Sequence, residues 1–382
     1  MIPLSIPNIS GNEWKYVKEC LDTGWISSAG AYVNKFEEAI QNYTGIKYAI
    51  ACMNGTAGLQ VSLILAGVTK NDIVIAPNLT FVATLNAISY TSAQTILIDN
   101  CEDSWQIDLN LLEKWLIKNT TTTIIEGKPI TIDKFTGKKI GAIMPVYVLG
   151  GFVNTDKLLM ISAQYGIPVI EDSTEALGSF KKGKHAGTFG LAGVLSFNGN
   201  KIISTGGGGM ILTDNEDLAI RARHITTTAK SDPLEYLHDE VGFNYRLVNI
   251  LAAIGVAQME NFEQILKRKK EIDALYKKEL IGIGDIKFQT NNQDSNPNCW
   301  LFTFRTKKMR DLLIYLNRKQ IQSRPFWTPM NNLPMYKDLT YVNENDISNQ
   351  IFKECISIPS SSNLSLSDQL KVISEIKKFF KK

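Results

Sequence analysis

A lysine follows directly on a predicted buried strand, in the segment Leu195-Ser196-Phe197-Asn198-Gly199-Asn200-Lys201. Partial burial and a cationic environment lower the pKa of a lysine amine, and such a lysine is a candidate for Schiff-base chemistry. The alternative is a surface lysine in a loop. Ligands bind at the carboxyl ends of strands in open α/β sheets. The position is therefore suitable for a Schiff-base lysine but does not exclude a surface lysine.

A pair of carboxylates ends another apolar run, Val169-Ile170-Glu171-Asp172. A buried carboxylate is costly unless a cation accompanies it. One suitable cation is the protonated ring nitrogen of a cofactor. The alternative is an aspartate that caps the next helix.

A third candidate, Asn54-Gly55-Thr56-Ala57, lies between a predicted strand and a predicted helix. Free backbone N–H groups and the helix dipole favour an anion at a helix N-terminus, so this turn predicts a seat for a phosphate. The alternative is a tight turn in which Thr56 caps the helix.

Four consecutive glycines, Gly206 to Gly209, precede a predicted strand. Such a run permits close backbone approach and positive φ angles. It is not a dinucleotide fingerprint, because that motif follows a strand and opens a helix. A flexible loop is the alternative.

Short apolar runs alternate with helical patterns over the first two-thirds of the chain, which predicts an α/β fold with a mostly parallel sheet covered on both faces. The predicted strands are Tyr48–Cys52, Asp72–Ala76, Thr95–Ile98, Ile140–Val146, Pro168–Glu171, Gly193–Ser196 and Met210–Thr213. The intervening helices include Ala57–Leu65, Thr80–Ile88, Asn110–Ile117 and Thr155–Tyr165. The Thr- and Lys-rich segment from Asn119 to Lys139 breaks this alternation and predicts an edge hairpin.

The pattern changes at Asn249, where apolar residues recur at helical spacing and predict one long helix. A smaller α+β region follows. It ends in a helix from about Ser367, preceded by the capping-box pattern Ser365-Leu366-Ser367-Asp368. We therefore divide the chain into residues 1–248 and 249–382.

The composition excludes several classes of function. Lys and Arg number 41 and Asp and Glu 38, a net charge of +3 that gives no reason to expect a nucleic-acid partner. No apolar stretch approaches the roughly 18 residues of a membrane span, and the N-terminus lacks a secretory pattern. The five cysteines are scattered and the three histidines offer no zinc-ligand spacing, so we expect a cytoplasmic protein without a metal site.

The candidate segments occur in an order that resembles the DegT/DnrJ-type sugar-nucleotide aminotransferases, which depend on pyridoxal 5′-phosphate (PLP). The resembling stretches are Gly24-Trp25-Ile26-Ser27, Phe36-Glu37, Asn54-Gly55-Thr56-Ala57-Gly58-Leu59, Pro77 to Thr84, Glu171 to Gly178, Gly187-Thr188-Phe189-Gly190, Ser196 to Lys201, Gly242 to Arg246 and Arg324 to Met330. The resemblance implies PLP fold type I. Residues 1–248 would form a large PLP-binding domain around a mixed, mostly parallel seven-stranded sheet, and residues 249–382 a linking helix and a small C-terminal α+β domain.

The resemblance also implies roles for individual residues. Lys201 forms the Schiff base with PLP and moves the proton, while Asp172 keeps the pyridine nitrogen protonated. Phe81 stacks on the ring. The other implied cofactor-binding residues are Gly55, Thr56 and Ser196 at the 5′-phosphate with the adjacent Ala57, Glu175 near the 3′-hydroxyl, and Asn244, which reaches the phosphate across a homodimer interface.

The implied reaction moves the amino group of L-glutamate to carbon 4 of a nucleotide-linked keto-sugar. The stretches at Ser196–Lys201 and Gly206–Gly209 resemble a subgroup that makes 4-amino sugars for bacterial surface glycans, including the legionaminic acid pathway. Its substrates are UDP-linked 4-keto-6-deoxy-hexoses, usually N-acetylated at carbon 2. Three positions depart from the common family pattern: Glu175 is more often Gln, Gly207 replaces a Glu, and Asn331 follows Met330 where a His is common.

Two alternatives to the aminotransferase remain. One is a PLP-dependent sugar dehydratase of the same fold, in which a histidine occupies the position of Lys201. The other is a non-catalytic module that has kept the fold.

Overall fold

The structure is a computed structural model that describes residues 1–232, 234–291 and 293–381. Its strands are β1 (Tyr48–Cys52), β2 (Asp72–Pro77), β3 (Gln94–Ile98), β4 (Thr120–Ile125), β5 (Lys128–Asp133), β6 (Lys139–Ile143), β7 (Ile170–Asp172), β8 (Phe180–Lys181), β9 (Lys184–His185), β10 (Ala192–Ser196), β11 (Gly209–Thr213), β12 (Lys230–Asp232), β13 (Leu237–His238), β14 (Lys287–Phe288), β15 (Ser295–Asn296), β16 (Phe302–Arg305), β17 (Arg324–Pro325), β18 (Thr340–Val342) and β19 (Cys355–Ile358). Its α-helices are α1 (Glu13–Thr23), α2 (Ala31–Thr44), α3 (Gly55–Leu65), α4 (Ala83–Tyr90), α5 (Leu109–Asn119), α6 (Thr155–Tyr165), α7 (Glu216–Thr226), α8 (Asn249–Glu260), α9 (Phe262–Leu280), α10 (Met309–Arg318), α11 (Ile347–Glu354) and α12 (Leu366–Lys381). Short 3-10 turns occur at Val148–Gly150 and Met330–Asn332.

The seven predicted strands lie side by side in the order β1-β11-β10-β7-β6-β2-β3. Isolated parallel bridges join β7 to β6, at Val169 with Ile143 and at Asp172 with Val146. Only β11 runs antiparallel to its neighbours in this series. The predicted mixed, mostly parallel sheet is therefore confirmed, and β18 extends it by pairing parallel with β3.

Both faces of this central sheet are covered, which explains why its strands are apolar on consecutive residues. Every residue of β2 and β11 is buried. On one face α3 packs Leu59 and Leu63 into the core. On the other face, Leu112 of α5 and Leu158 of α6 belong to a second buried cluster.

The strand directions bring the candidate segments to one edge of the sheet. Because β11 is antiparallel to both β1 and β10, those two strands run the same way and end level with each other. Gly209, the first residue of β11, is in register with both Cys52 and Ser196. The N-terminal turn of α3 therefore begins beside the end of β10, and Asp172 ends the neighbouring strand β7.

The glycine run allows β11 to approach the start of α3 closely. A Cβ atom at Gly209 would lie 2.6 Å from the carbonyl carbon of Asn54 and 2.8 Å from the nitrogen of Gly55, so no side chain fits between β11 and the start of α3. Gly206 has φ of +81°, a left-handed conformation that favours glycine. The predicted need for close approach and positive φ is thus confirmed at two of the four positions.

The segment from Asn119 to Lys139 forms the predicted edge hairpin. Strands β4 and β5 pair antiparallel around Glu126 and Gly127, whose φ angles of 51° and 75° are those of a tight hairpin turn. Strand β5 also pairs with the start of β6 through Ile132 and Lys139. The hairpin therefore joins the central sheet at the first residue of β6, whereas the last residue of β6, Ile143, pairs with Val169 before β7.

The single long helix predicted from Asn249 is wrong, because the structure divides it into α8 and α9. Asn261 between them has φ of −103° and ψ of 5°, outside the helical region. Its carbonyl oxygen accepts a hydrogen bond from the N–H of Ile265 (3.1 Å) and starts the new helix. The side chain of asparagine can hydrogen-bond nearby backbone groups in non-helical conformations and so favours such junctions. A pattern of apolar residues does not reveal this preference.

A second, antiparallel sheet follows, in the order β14-β16-β19-β17, and helices α9, α10 and α12 cover it with apolar side chains. The N-terminus also reaches this sheet's core, since Ile2 is buried there and pairs with Ile321. Helix α12 begins at Leu366, where the hydroxyl of Ser365 accepts from the N–H of Asp368 (3.1 Å), as the capping pattern predicts. The boundary at 248/249 stays a prediction. Within the described ranges, the helices lack the combination of length and apolar character that a bilayer crossing requires.

Candidate active site

A cavity of about 230 Å³ opens at the edge of the central sheet where the candidate segments converge. Most of the sequence-predicted cofactor residues line it. The lining residues are Asn54, Gly55, Thr56, Leu59, Phe81, Ala83, Thr174, Glu175, Ser196, Asn198, Asn200, Lys201, Trp300 and Trp327.

The N-terminus of α3 forms one end of the cavity. Asn54, not Thr56, is the capping residue, because its side-chain oxygen accepts from the N–H of Ala57 (2.8 Å). That bond occupies the N–H of Ala57, whereas the N–H groups of Gly55 and Thr56 belong to a first helical turn that offers no backbone acceptor. A Cβ at Gly55 would lie 3.0 Å from both Ser196 and Thr174, so the glycine keeps this end of the cavity open.

Asp172 is almost fully buried at the end of β7, with 2% of its surface exposed. Its Oδ2 accepts from the hydroxyl of Thr84 (2.7 Å), and its Oδ1 accepts from the hydroxyl of Thr174 (2.7 Å) and the N–H of Thr174 (3.2 Å). Three donors and no cation among these contacts suit a carboxylate that is held for a positively charged ligand.

The neighbouring Glu171 has a different task. Consecutive strand residues face opposite sides of the sheet, so its carboxylate points away from that of Asp172. It accepts from the N–H groups of Gly187 (3.0 Å), Phe189 (2.6 Å) and Gly190 (2.5 Å), and from the hydroxyl of Tyr147. Burial raises the pKa of Glu171, while these donors oppose the shift. The residue therefore holds a loop in place.

Lys201 projects into the cavity from the turn after β10. Burial lowers the pKa of its amine, and the negative charges of Glu175 and Asp172 oppose that shift. The amine lies 4.2 Å from the ring centroid of Trp300. The two sequence candidates, Lys201 and Asp172, thus lie close enough in the fold for the carboxylate to act on the amine.

Glu175 is buried beside the lysine, with 3% of its surface exposed. Burial raises the pKa of Glu175 to about 7, and the positive charge of Lys201 partly offsets that effect. Its Oε2 accepts from the N–H of Leu149 (2.7 Å). A carboxyl group that titrates near neutrality therefore occupies the position where the family more often has Gln.

Two tryptophans that the sequence did not identify as site residues form a wall of the cavity. Trp300 and Trp327 stack at 6.4 Å between centroids, and Trp327 meets Phe81 edge to face at 6.2 Å. Phe81 keeps 51% of its surface exposed. Trp327 lies in one of the resembling stretches, whereas no local signal marks Trp300, which lies 99 positions after Lys201.

Asn244 does not line this cavity. It is exposed, in a segment held beside β1 by the bond from the N–H of Met53 to the carbonyl of Tyr245 (2.7 Å). Of the three positions that depart from the family pattern, Glu175 lines the cavity, whereas Gly207 and Asn331 are not among its lining residues. Asn331 exchanges hydrogen bonds with the buried Asn78, and a Cβ at Gly207 would meet only the carbonyl of Met53, at 3.9 Å.

A separate group of possible metal ligands, His224, Asp239 and Glu240, lies at the surface. Arg221 already pairs with both carboxylate oxygens of Glu240, and His224 Nε2 lies 2.7 Å from Asp239. The side chains of this group are thus already paired with other residues of the chain.

The residues around the cavity fit PLP. Gly55 leaves open a helix N-terminus suited to a phosphate, Asp172 offers a buried carboxylate suited to a pyridinium, and Lys201 offers an amine with a lowered pKa. Gly55 and Lys201 line the cavity, and Asp172 lies behind the lining, where its Oδ1 accepts from the hydroxyl and the N–H of the lining residue Thr174. No nucleotide-binding fingerprint or metal is needed to explain them.

A sequence profile described as the DegT/DnrJ/EryC1/StrS aminotransferase family matches residues 7–377. The chain belongs to this family. GDP-perosamine synthase of Escherichia coli O157:H7 is 33% identical to it, over 99% of this chain and 98% of that protein. EpsN of Bacillus subtilis (strain 168), provisionally named a pyridoxal phosphate-dependent aminotransferase, is 34% identical over 97% of this chain and 94% of its own length.

Solved structures agree on the fold. The crystal structure of a DegT DnrJ EryC1 StrS aminotransferase from Brucella abortus superposes with a TM-score of 0.88 at 24% identity, over 97% of this chain and 96% of the other. The predicted family, fold and cofactor are confirmed: the protein is a PLP-dependent sugar aminotransferase of the DegT/DnrJ family.

Proposed function

We propose that the enzyme transfers the amino group of L-glutamate to the C4 keto group of a UDP-linked, 2-N-acetylated 4-keto-6-deoxy-hexose for bacterial surface-glycan synthesis. The observation that carries the transamination is that Lys201 and the Gly55–Thr56 turn line one cavity, with the carboxylate of Asp172 behind the lining and near enough to act on the amine of Lys201. The UDP-linked sugar rests on the resemblance of Ser196–Lys201 and Gly206–Gly209 to the 4-amino-sugar subgroup. Lys201 in place of a histidine speaks against the dehydratase alternative.

In this proposal the N–H groups of Gly55 and Thr56 and the hydroxyl of Ser196 hold the phosphate of PLP, with Ala57 completing the helical turn. Phe81 covers one ring face, Asp172 holds the ring nitrogen and Glu175 lies near the 3′-hydroxyl. When bound, PLP supplies an electron sink for the carbon that exchanges its proton.

Lys201 then holds and moves that proton. Burial lowers the pKa of its amine, which makes the unprotonated, proton-accepting form easier to reach. The negative charges of Glu175 and Asp172 oppose that shift and favour the protonated form that returns the proton. The aromatic wall of Trp300 and Trp327 keeps water from one side of the exchange.

The first test is an absorbance spectrum of the purified protein before and after addition of L-glutamate. We expect a band near about 410–430 nm that moves to about 325–340 nm as the cofactor takes up the amine. L-Aspartate at the same concentration serves as the control donor. A band that responds to aspartate and not to glutamate would refute glutamate as donor, and the absence of any band after soaking with PLP would refute the placement of PLP on Lys201.

A second candidate substrate is a GDP-linked 4-keto-6-deoxy-hexose, favoured by the 33% identity to a GDP-perosamine synthase. The aminated protein should be mixed with UDP-linked 2-acetamido and GDP-linked sugars at equal concentration, and the return of the visible band measured. The proposal expects faster return with the UDP-linked sugar. Faster return with the GDP-linked sugar would transfer the assignment to the second candidate.

We also propose that the active form is a homodimer in which Asn244 of each protomer completes the partner's site. Asn244 is exposed and is not among the residues that line the cavity of its own protomer, so its side chain is accessible to a second protomer. Met53 and Phe81 beside the cavity expose 42% and 51% of their apolar side chains, and a second protomer would cover such surface.

Mixing two inactive variants tests this arrangement. If Asn244→Ala and Lys201→Ala subunits are co-expressed in equal amounts, half the dimers are mixed and one of their two sites is intact. We therefore expect activity to return to about one quarter of wild type. Activity no higher than that of the separate variants, in samples whose mass confirms mixed dimers, would refute the shared site, as would full activity of Asn244→Ala alone.

A further inference from the structure

A second lysine is buried without a role in the proposed reaction. Lys269 of α9 has 3% of its surface exposed, and its amine donates hydrogen bonds to the backbone carbonyls of Trp300 and Ser360. Burial lowers the pKa of Lys269 to about 7. Burial of a lysine amine costs free energy of desolvation, so the two hydrogen bonds that it makes call for an explanation.

One of those carbonyls belongs to the tryptophan that faces the reactive amine. The N–H of Trp300 donates to the side chain of Asn298 (3.1 Å), and its indole Nε1 donates to the carbonyl of Asn200 (2.7 Å). The indole face then lies 4.2 Å from the amine of Lys201. Lys269 thus binds the backbone of Trp300, and the carbonyl of Asn200, the residue before the reactive lysine, binds its indole ring.

We propose that Lys269 is a positioning residue that acts on the amine of Lys201 through Trp300, an inference that rests on the proposed role of Lys201. The amine of Lys269 joins helix α9, the Trp300 segment and the segment after β19 at one point. Without it, the carbonyl of Trp300 loses its buried donor and the segment loses its tie to α9. The indole would then no longer be fixed over Lys201.

The fixed indole matters because an aromatic face stabilises a cation placed over it. The charged groups that act on Lys201 are Glu175 and Asp172, and both also favour the protonated amine. The groups that act on Lys269 are Asp273 and Cys299. A neutral lysine amine keeps two N–H donors, so the bonds from Lys269 to both carbonyls are available in either protonation state.

The test uses the full-length protein freed of cofactor, and measures the rate of PLP rebinding by the visible band as a function of pH. Only the unprotonated amine of Lys201 attacks PLP, so the profile reports the pKa of that amine. We expect Lys269→Met to shift the profile down by about half to one pH unit, the size of a lost cation–π contact. Trp300→Leu should give a similar shift, and the double variant no more than Trp300→Leu alone.

Lys267→Met on the exposed face of the same helix is the matched control and should leave the profile unchanged. Lys269→Gln, which keeps an NH₂ donor, should leave the profile nearer to that of wild type than Lys269→Met does. If Lys269→Met does not fold, an unshifted profile in Trp300→Leu overturns the proposal, because Lys269 acts through Trp300. An unshifted profile in a variant with lowered melting temperature would reduce Lys269 to a purely structural role and overturn the proposal. Additive shifts in the double variant would also overturn it, because Lys269 would then act by a route other than Trp300.

These outcomes are separable from a failure of the proposed function. If the wild-type protein forms no band with PLP, the role of Lys201 is wrong and the inference falls with it. If the wild type rebinds PLP normally and only the variants fail to shift, the proposed function stands and the inference alone is refuted.

Discussion

We expect Lys201→Ala to lower turnover by at least about 10⁴-fold and to leave the fold intact, because in the proposed reaction the side chain supplies both the nucleophilic amine and the proton carrier. Its backbone bond to Asn198 (3.0 Å) is unaffected by the change. Removal of a half-buried amine also removes a desolvation cost, so the melting temperature should stay near that of wild type. The measurement is steady-state turnover with glutamate, together with thermal unfolding.

Two further variants sharpen this result. Lys201→Arg keeps a cation near Trp300 but has no amine that can form a Schiff base, and we expect it to be as inactive as alanine. Lys182→Ala changes an exposed lysine and should retain full activity. Unfolding of Lys201→Ala would show that the residue is structural, and turnover within tenfold of wild type would place the proton transfer on another group.

We expect Asp172→Asn to lower turnover by about 100-fold or more while the protein stays folded. The amide is nearly isosteric and can still accept from the hydroxyl of Thr84 or Thr174, but it has no charge with which to hold a protonated ring nitrogen. The electron sink is therefore weakened without loss of the cavity. The first half-reaction with glutamate, followed in a stopped-flow absorbance experiment, measures the effect directly.

Substitution of the adjacent carboxylate, Glu171, provides a control that should affect stability and not the catalytic rate. Glu171→Gln places an amide opposite the N–H groups of Gly187, Phe189 and Gly190, where donors meet donors. We expect it to lower the melting temperature and to leave the rate of the folded enzyme within a few-fold of wild type. An Asp172→Asn enzyme with unchanged rates would remove Asp172 from the site, and a catalytic loss confined to Glu171→Gln would exchange the two assignments.

Local sequence patterns were sufficient for the elements that carry the site. The seven strands were predicted within three residues at each end, because strands buried on both faces leave continuous apolar runs. The edge hairpin around Glu126 and Gly127 was predicted for a similar reason, since alternation and turn residues are both local signals. The break at Asn261 was missed, because apolar spacing continues across it while the backbone does not.

By itself, the sequence determined the family, the cofactor and the identity of Lys201, Asp172, Ser196 and the Gly55–Thr56 turn as the candidates for chemistry. Each of these residues lies next to a predicted strand or helix, in a short motif that can be recognised from neighbouring residues alone. Residue chemistry alone could not distinguish Glu171 from Asp172, and only the resemblance singled out Asp172. The structure supplies the physical reason, because the pleat of β7 directs the carboxylate of Glu171 to the Gly187–Gly190 loop and that of Asp172 to Thr174 beside the cavity.

Only the tertiary structure decided which distant residues surround the lysine. Trp300 and Lys269 carry no local motif. The ring of Trp300 meets the amine of Lys201, and Lys269 bonds the backbone of Trp300, because α9 packs against the strands of the central sheet. Burial there also sets the pKa values of Lys201 and Glu175, since desolvation depends on every neighbour at once. Sequence patterns report what lies near along the chain, whereas reactivity at this site depends on groups brought together from about 70 to 100 positions away by packing.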